Sequence, residues 1–242
     1  MAAIYDRLVT VEAVIFDWGG TLTPWHTVDL AEQWRVYARV VTPDDVDAAA
    51  LALFAADGQV WEAARLHQRS ATFADVLSAA GVRYDDEAAR ALREFWEPHT
   101  FTDPDVPDLF AGLRDRGVRV GVLSNTIWPR AWHEDVFVRD GVLDLVHGAV
   151  YTSEIAHTKP HPEAFRAAMS AVGVSDPGRC VFVGDRPYDD ISGAHAVGMR
   201  AVFVPHSEIP ASQQMPVDVS PDAVIDRLSD LVAHVDSWRD AA

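Results

Sequence analysis

The sequence predicts an α/β protein in which a parallel β-sheet is wrapped by helices and an all-helical segment is inserted into the chain. Three observations lead to this prediction. An apolar, β-branched and aromatic run at residues 11–18 ends abruptly in two glycines, which is typical of a buried strand. Residues 27–98 show helical periodicity with few strand signals. After residue 102, helices alternate with short apolar strands, and this alternation indicates a parallel sheet.

The helical segment follows the first predicted strand closely. Leu30, Trp34 and Tyr37 are spaced to share one helix face, and a second apolar stripe follows them. Gly81 is expected to end a further helix, and a last one is predicted over residues 86–96, just before a proline. The segment therefore contains about four helices.

The rest of the sheet is predicted after residue 102. The strands are expected at residues 118–124, 148–152, 180–184 and 200–204, with a short sixth strand near 223–225. One helix is expected to end at residue 116, two more are expected at residues 162–172 and 190–197, and a last helix is expected to follow the sixth strand.

A strand at residues 11–18 needs parallel neighbours, and the nearest candidates lie beyond residue 117. We therefore predict a core domain formed by residues 1–24 and 104–242, with residues 25–103 inserted as a helical cap domain. The cap is expected to lie over the carboxyl edge of the sheet, which is where open parallel sheets bind ligands.

Composition excludes several classes of partner. The 242 residues are 49% hydrophobic and 24% charged, which is typical of a globular protein. A formal net charge of -17 at pH 7 argues against nucleic acid and anionic membranes as partners. Cys180 is the only cysteine, so no internal disulfide can form, and no apolar stretch is long enough to span a bilayer. We expect a cytoplasmic protein that is a monomer or a homodimer.

Polar residues stand at or just after the carboxyl ends of predicted strands, in four clusters. Each cluster alone is weak evidence, since acids and amides are common in turns. In this order on a parallel sheet, however, they are expected to converge on one crevice. The clusters are Asp17, Ser124 with Asn125, Lys159, and Asp185 with Asp190. Lys159 is also the only lysine among 20 basic residues.

These residue types suit phosphoryl transfer. Asp17 can act as a nucleophile that forms an aspartyl-phosphate. Asp17 and Asp185 supply the hard oxygen ligands that Mg²⁺ requires, and the metal in turn offsets the repulsion between a carboxylate and a phosphate. Ser124 and Lys159 can hold the oxygens of the transferring phosphoryl group, while Asn125 helps to order its loop.

The four clusters resemble the motifs of the haloacid dehalogenase-like hydrolase superfamily over residues 11 to about 205, and the helical insertion resembles its small, C1-type cap. The resemblance implies a Rossmann-like core and a Mg²⁺-dependent phosphatase whose partner is a small phosphorylated metabolite. It makes Asp17 the nucleophile, and it makes Ser124 and Lys159 the phosphate-binding residues. It also implies a set of metal-site residues: Asp17, Gly19, Asp185 and Asp190.

The chain departs from the family pattern at Gly19. Phosphatases of this family usually carry an aspartate there, two residues after the nucleophile, which serves as general acid and base. The backbone carbonyl of Gly19 can still ligate a metal, but no side chain can protonate the leaving group, a loss that typically costs roughly 10²- to 10⁴-fold in rate. Two alternatives therefore stay open: a 2-haloacid dehalogenase-type hydrolase, and a catalytically weak binding protein.

Other residues bear on these alternatives. Haloacid dehalogenases resemble the chain in the cap, but they use no Mg²⁺ and lack the spacing of Asp185 and Asp190. Phosphonate-cleaving members need a cap lysine to form an imine with the substrate, and this cap has none. The intact Asp17, Lys159 and Asp185 argue against a protein that only binds.

Residues next to the first motif are the candidates for substrate contacts: Gly20, Thr21, Trp25 and His26. His26 is the only nearby side chain able to replace the missing acid. Trp18 and Trp132 are expected to pack in the core. Some basic residues of the cap are expected to contact substrate, although most should be solvated: Arg35, Arg39, Arg65, His67 and Arg69.

Overall fold

The computed structural model describes residues 10–205, 207–210 and 214–240. The predicted core domain also includes residues 1–9, 206, 211–213 and 241–242, which lie outside the described residues. Within the described part, the chain forms a six-stranded parallel sheet with helices on both faces, and a group of helices is inserted between the first and second strands. The predicted α/β architecture is therefore confirmed.

The sheet has the strand order β3-β2-β1-β4-β5-β6. Its strands are β1 (Ala13–Phe16), β2 (Arg119–Ser124), β3 (Gly148–Tyr151), β4 (Cys180–Gly184), β5 (Arg200–Phe203) and β6 (Ala223–Val224). The first strand lies at the centre, where Phe16 is in register with Val122 of β2 and with Val183 of β4. Each predicted strand forms, and the sixth is only two residues long.

The inserted segment contains α1 (Leu30–Val41), α2 (Val46–His67), α3 (Phe73–Ala79) and α4 (Asp86–Trp96). Side chains define where these helices begin. Asp29 accepts hydrogen bonds from the first turn of α1, and Thr72 forms a reciprocal capping box with Asp75 at the start of α3. Gly81 follows α3 with a φ of +67°, a conformation that favours glycine. The bounds of α4 are those that the sequence predicts.

The cap helices pack around an aromatic core. Trp34 and Phe73 stack with ring centroids 5.9 Å apart, and Tyr37 packs edge-on against the same Phe73 ring at 5.7 Å. Ile127 and Trp132, which follow β2, belong to the same buried cluster. The cap is therefore packed directly against the segment that leaves the second strand.

Five core helices cover the two faces of the sheet within the described residues: α5 (Val106–Asp115), α6 (Arg130–Arg139), α7 (Pro162–Ala171), α8 (Gly193–Val197) and α9 (Leu231–Asp240). Along β1, Val14 and Phe16 contact the cluster formed with α5, α6 and α9, whereas Ala13 and Ile15 contact the cluster formed with α7 and α8. Both faces of β1 are buried, as expected for a parallel sheet. None of the described helices combines the length and the apolar character needed to cross a membrane.

The chain leaves and re-enters the core at one place. The Asp103 amide donates to the Leu22 carbonyl at 2.8 Å, so the outgoing and returning segments lie side by side. The boundaries predicted between core and cap, at residues 24/25 and 103/104, fall beside this contact. The division into two domains stays a prediction.

Helix α6 is not predicted by the sequence. Its apolar residues do not form one stripe, because they serve two different clusters. Trp132 packs into the aromatic cluster of the cap, whereas Phe137 packs against the sheet. A helix buried on two sides loses the amphipathic period on which the prediction depends.

The helix predicted over residues 190–197 is shorter in the structure. Residues Pro187–Ser192 form a π-helical turn, and α8 begins only at Gly193. The Asp190 side chain accepts a hydrogen bond from the Arg186 amide at 2.9 Å, and the Asp190 amide donates to the Arg186 carbonyl at 2.9 Å. These bonds hold residue 190 in the wider turn, a geometry often found at functional sites.

His133 is a buried histidine of α6. Its ring stacks on Tyr151 with centroids 4.4 Å apart, and it meets Trp18 edge-on at 4.5 Å. Its Nε2 lies 3.0 Å from the Thr126 hydroxyl. Burial, aided by the charge of Arg130, lowers the pKa of His133 from 6.5 to about 3. The imidazole is therefore neutral in the folded protein.

This shift predicts a loss of stability in mild acid. Because the unfolded histidine binds a proton below pH 6.5 and the folded one does not until about pH 3, the free energy of unfolding should fall as pH decreases across that window. The maximum slope for one group is about 1.4 kcal/mol per pH unit. His133→Gln should flatten this dependence in urea unfolding measured from pH 7 to pH 4. The exposed His67→Gln is the matched control, and an equally steep profile in both variants would contradict this role of His133.

Candidate active site

The predicted site residues gather at the carboxyl edge of the sheet. Asp17 directly follows β1, Ser124 is the last residue of β2, and Asp185 directly follows β4. The Asp17 amide donates to the Val183 carbonyl at 2.9 Å, which continues the pairing of β1 with β4 to the end of the strand. All three side chains are buried. The parallel strands therefore bring together residues that are far apart in the chain.

Lys159 links two buried carboxylates. Its ammonium donates to Asp17 Oδ1 at 2.5 Å and to Asp190 Oδ1 at 2.7 Å, and only 2% of its side chain is exposed. Burial alone lowers the pKa of a lysine, but the charges of Asp17 and Asp190 outweigh burial and raise the pKa of Lys159 above its ordinary value. The ammonium is therefore charged at neutral pH.

Asn125 holds the backbone of Lys159 from both sides. Its side-chain oxygen accepts a hydrogen bond from the Lys159 amide at 2.8 Å, and its side-chain nitrogen donates to the Lys159 carbonyl at 3.2 Å. Because Asn125 directly follows Ser124 at the end of β2, this pair of bonds ties the lysine loop to the sheet edge. The two hydrogen bonds thus help to position the Lys159 ammonium beside the carboxylates that it contacts.

Asp190 is presented by the π-helical turn after β4. One carboxylate oxygen accepts from the Lys159 ammonium, and the other accepts from the Arg186 amide. Gly184 permits this approach, because a Cβ at residue 184 would lie 2.3 Å from the Asp190 carboxyl group. The absence of a side chain at residue 184 is therefore a requirement of the site.

Asp185 is the carboxylate with unpaired oxygens. Both oxygens are buried, and neither has a hydrogen-bond partner of ordinary geometry among the described residues. Gly20, with a φ of +94°, comes so close that a Cβ there would lie 2.1 Å from Asp185 Oδ2. Burial raises the pKa of Asp185 well above its ordinary value, and the negative charges of Asp17 and Asp190 raise it further. The nearby Ser207 hydroxyl, which donates to the Gly20 carbonyl at 3.1 Å, lowers the pKa of Asp185 slightly.

These three aspartates form a donor set for a cation. Carboxylate oxygens of Asp17, Asp185 and Asp190 lie within 4.8 Å of one another. Three carboxylates share one ammonium, that of Lys159, so the buried cluster has a formal excess of two negative charges. A hard divalent cation that takes oxygen ligands, such as Mg²⁺, fits this charge and the unpaired oxygens of Asp185.

A cavity of about 550 Å³ lies between this cluster and the cap helices. Asp17, Ser124, Asn125 and Lys159 all contribute to its wall. So do residues of α1, α2 and α4 from the cap. The cavity is large enough for a small metabolite, and the buried charges lie on its core side.

Most of the predicted substrate contacts line this cavity. Gly19, Gly20, Trp25 and His26 are part of its wall, and His26 is exposed there. Thr21 is not: it is 1% exposed, and its hydroxyl is buried without a hydrogen-bond partner among the described residues. Of the four predicted substrate contacts, only Thr21 is therefore absent from the cavity wall.

The basic residues of the cap differ in their surroundings. Arg65 lines the cavity, whereas Arg35 and Arg39 form exposed ion pairs with Glu32. His67 is exposed at the end of α2. The side chains of Arg35 and Arg39 are 43% and 53% exposed, and such surface ion pairs contribute little to stability.

Tryptophans form much of the cavity wall. Six of the eight in the sequence line it: Trp18, Trp25, Trp34, Trp61, Trp96 and Trp128. Trp18 also packs against His133, so it has both a packing contact and a face on the cavity. Trp132 lies in the buried aromatic cluster of the cap instead.

Three further residues line the cavity that are not among the site residues predicted from the sequence: Asp57, Arg186 and Asp189. Asp57 could have been found. It lies on the buried stripe of α2 that contains Leu53 and Ala64, so it interrupts an apolar helix face with an acid. Arg186 and Asp189 lie in the π-helical turn, which no periodic pattern marks.

Comparison with known proteins identifies a family and several relatives. The family model described as haloacid dehalogenase-like hydrolase matches residues 11–198. The glyceraldehyde 3-phosphate phosphatase of Methanopyrus kandleri is 30% identical over 157 residues, which are 65% of this chain and 63% of that protein. The pyrophosphatase PpaX of Bacillus pumilus is 28% identical over 233 residues, 93% of this chain and 97% of that protein. The chain thus spans less than two thirds of the first of these relatives.

Solved structures show the same fold at low identity. A HAD phosphatase from Thermococcus onnurineus superposes with a TM-score of 0.67 at 21% identity, covering 93% of this chain and 98% of that one. The L-2-haloacid dehalogenase from Xanthobacter autotrophicus superposes with a TM-score of 0.62 at 17% identity, covering 94% and 99%. Since both a phosphatase and a dehalogenase share the fold, these likenesses do not distinguish the two reactions.

Replacing Asp185 with asparagine should have opposite effects without and with Mg²⁺. In EDTA, Asp185→Asn removes a carboxylate from a buried cluster that has an excess of negative charge, so the Tm should rise. In Mg²⁺, the unmodified protein should gain stability, by about 2.7 kcal/mol at a concentration 100 times Kd. The variant should lose most of this gain. Thermal unfolding followed by circular dichroism measures both effects.

The control for this experiment is Asp226→Asn, because Asp226 is an exposed acid of the same type. It should keep the full response to Mg²⁺. A Mg²⁺ response that survives in Asp185→Asn would contradict the assignment of the aspartate cluster as a metal site.

Proposed function

Because the chain belongs to the haloacid dehalogenase-like hydrolases, we propose that it is a Mg²⁺-dependent phosphatase that acts on a small phosphorylated metabolite through an aspartyl-phosphate at Asp17. The main support is the buried network in which Lys159 binds Asp17 and Asp190 beside the unpaired oxygens of Asp185. Relatives named as phosphatases, from Methanopyrus kandleri and Thermus thermophilus, support the same class of reaction.

Asp17 is the proposed nucleophile. Lys159 engages its Oδ1, while Oδ2 forms no hydrogen bond with the described residues, and the side chain contributes to the cavity wall. Attack by a carboxylate oxygen forms a new O–P bond, and the bond to the leaving oxygen breaks with its electron pair. Water then hydrolyses the acyl phosphate, which releases phosphate and restores the carboxylate.

Charge on the phosphoryl oxygens is offset from the core side of the cavity. Lys159 is a fixed cation there, and the Ser124 hydroxyl is a nearby donor on the same wall. Asp17, Asp185 and Asp190 are the proposed metal residues, with the Gly19 carbonyl. Bound Mg²⁺ supplies Lewis-acid neutralisation of the charge that develops on the phosphoryl group.

Gly19 leaves this site without an acid near the leaving group. A Cβ at this position would meet no atom within 4 Å, so a larger side chain has room. His26 lies on the cavity wall and is exposed, with its ring 5.4 Å from that of His99. We propose that the leaving group departs without a proton from residue 19.

The dehalogenase alternative fits the charges less well. A dehalogenase of this family needs no Mg²⁺, and nothing in that reaction compensates the excess of two negative charges around Asp185. The weak-binder alternative rests on Gly19 alone. We therefore retain the phosphatase.

Asp17→Asn should abolish turnover and leave the fold intact. The amide is nearly isosteric with the carboxylate, but it cannot act as an anionic nucleophile. Release of phosphate from 4-nitrophenyl phosphate in Mg²⁺ measures turnover, and the unfolding transition verifies the fold. Retention of more than a few per cent of the activity in clean protein would rule out covalent catalysis by Asp17.

Rates should depend steeply on the pKa of the leaving group. Without a positioned acid, aryl and acyl phosphates should react faster than alkyl phosphates, because an alkoxide is a poor unprotonated leaving group. Measuring kcat/KM across a series of substituted phenyl and alkyl phosphates gives the slope. Equal rates across the series would mean that another group, with His26 first, already supplies the proton.

Gly19→Asp tests the same step by adding the missing acid. The open space at this position should admit the carboxyl group. The rate of hydrolysis should rise more for alkyl phosphates than for aryl phosphates, by up to about 10²- to 10⁴-fold. Gly19→Asn is the matched control, since it has the same size and no transferable proton of suitable pKa. A gain shared by both variants would show that packing, and not acid catalysis, caused it.

A further inference from the structure

The cap contributes a second buried carboxylate to the cavity, at Asp57 on α2. Asp57 is 5% exposed and is part of the cavity wall. Its Oδ2 accepts hydrogen bonds from Trp34 Nε1 at 3.2 Å and from Gln33 Nε2 at 3.4 Å. Its Oδ1 is buried and has no partner among the described residues. One oxygen is therefore held in place, and the other remains available.

No cation neutralises Asp57 within the part of the chain that the structure describes. Its hydrogen-bond donors are the Trp34 indole and the Gln33 carboxamide, and the Trp61 indole also stabilises the carboxylate; all three are neutral. The nearest cation along α2 on the cavity wall is Arg65, which lies eight residues away, or about 12 Å along the helix axis. Burial raises the pKa of Asp57, and hydrogen bonds from indoles oppose this rise. A buried, unpaired carboxylate is costly unless a charged partner joins it.

Indole rings surround this carboxylate. Trp34, Trp61 and Trp96 line the same cavity. The N–H group of Trp96 donates to Gln33 Oε1 at 2.9 Å, so Gln33 connects it to Asp57. These bonds fix the polar edges of Trp34 and Trp96. Aromatic rings attract cations through their electron-rich faces, and tryptophan does so most strongly.

A series of side-chain contacts connects Asp57 to the segment of the nucleophile. The route of contacts between them runs from Gln33 to Trp96, then to Trp128 with ring centroids 5.6 Å apart, and then to Trp18 at a further 5.8 Å, next to Asp17. Several side chains therefore separate the two carboxylates. Asp57 lies on the cap helix α2 and Asp17 at the end of β1, on the wall of the same cavity, so Asp57 is placed to bind the part of the substrate that leaves.

We propose that Asp57 and the surrounding indoles form a subsite for a primary ammonium group, so that the substrates are amine-bearing phosphomonoesters. The ammonium donates to the free Oδ1 of Asp57 and lies among the rings of Trp34, Trp61 and Trp96. An ammonium provides both the charge and the N–H donors that Asp57 lacks. This inference rests on the proposed phosphatase function for its substrate class, although the subsite itself can be tested without turnover.

The first experiment compares two substrates that differ in the amine. Both 4-(aminomethyl)phenyl phosphate and 4-methylphenyl phosphate have aryl leaving groups, so the lack of an acid at Gly19 does not limit either. In Asp57→Asn, the ratio of their kcat/KM values should fall by about 10- to 100-fold, mostly through KM, because a charge-assisted hydrogen bond is lost. The rate with 4-methylphenyl phosphate measures any general effect of the substitution on the cavity, and the ratio removes that effect.

Glu62→Gln is the matched control, since Glu62 is an exposed acid on the same helix outside the cavity. It should leave the ratio of the two substrates unchanged. A ratio that is equal in the unmodified protein and Asp57→Asn would overturn the proposal, because it would mean that Asp57 is protonated and only bonds Trp34 and Gln33.

The second experiment measures binding without chemistry. Benzylammonium should change the fluorescence of the cavity tryptophans in the unmodified protein, whereas benzyl alcohol should not at the same concentration, and Asp57→Asn should lose the response. If this response is present and neither aryl phosphate is hydrolysed, the subsite stands and the phosphatase function fails. If both phosphates are hydrolysed and benzylammonium gives no Asp57-dependent response, the phosphatase stands and the subsite is overturned.

Discussion

The site depends on one buried ammonium among three buried carboxylates. Lys159 is the only lysine of the chain, and it pairs with Asp17 and Asp190 at the carboxyl edge of the sheet. Its position requires other features: Asn125 holds its backbone, the π-helical turn presents Asp190, and Gly184 makes room for that carboxyl group. A single buried charge thus accounts for several local features that would otherwise look unrelated.

The remaining negative charge makes the site incomplete without a cation. Lys159 already binds two carboxylates and forms no hydrogen bond with Asp185. The Asp185 oxygens have no hydrogen-bond donor of ordinary geometry among the described residues. The same reasoning applies at the cap, where Asp57 has one unpaired oxygen. In our account the cavity therefore lies between two buried carboxylate groups with different partners, a metal ion on the core side and the amine of the substrate on the cap side. Rings from Trp18 to Trp96 separate them.

Much of this arrangement could be predicted from the sequence, because it follows from strand ends. Apolar runs locate the strands, and the polar residues after them must meet at one edge of a parallel sheet, as Asp17, Ser124 and Asp185 do. Sequence patterns do not predict a helix that packs against two clusters or a turn that is set by tertiary contacts. Helix α6 packs on two clusters and loses its period, and the turn around Asp190 is set by tertiary hydrogen bonds. Asp57 interrupts the apolar stripe of α2 and could have been noticed in the sequence, whereas its place on the cavity wall is shown only by the structure.

The central claim is that Asp17 attacks phosphorus in a site that has no acid or base at Gly19. The residue missing there would also activate the water that hydrolyses the aspartyl-phosphate, so this intermediate should accumulate during turnover. Quenching the reaction with acid during turnover of an aryl phosphate in Mg²⁺, followed by peptide mass spectrometry, measures it directly. The account predicts one phosphoryl group on the peptide that contains Asp17, and its loss on treatment with hydroxylamine. Steady turnover without phosphoryl label on that peptide would contradict the account.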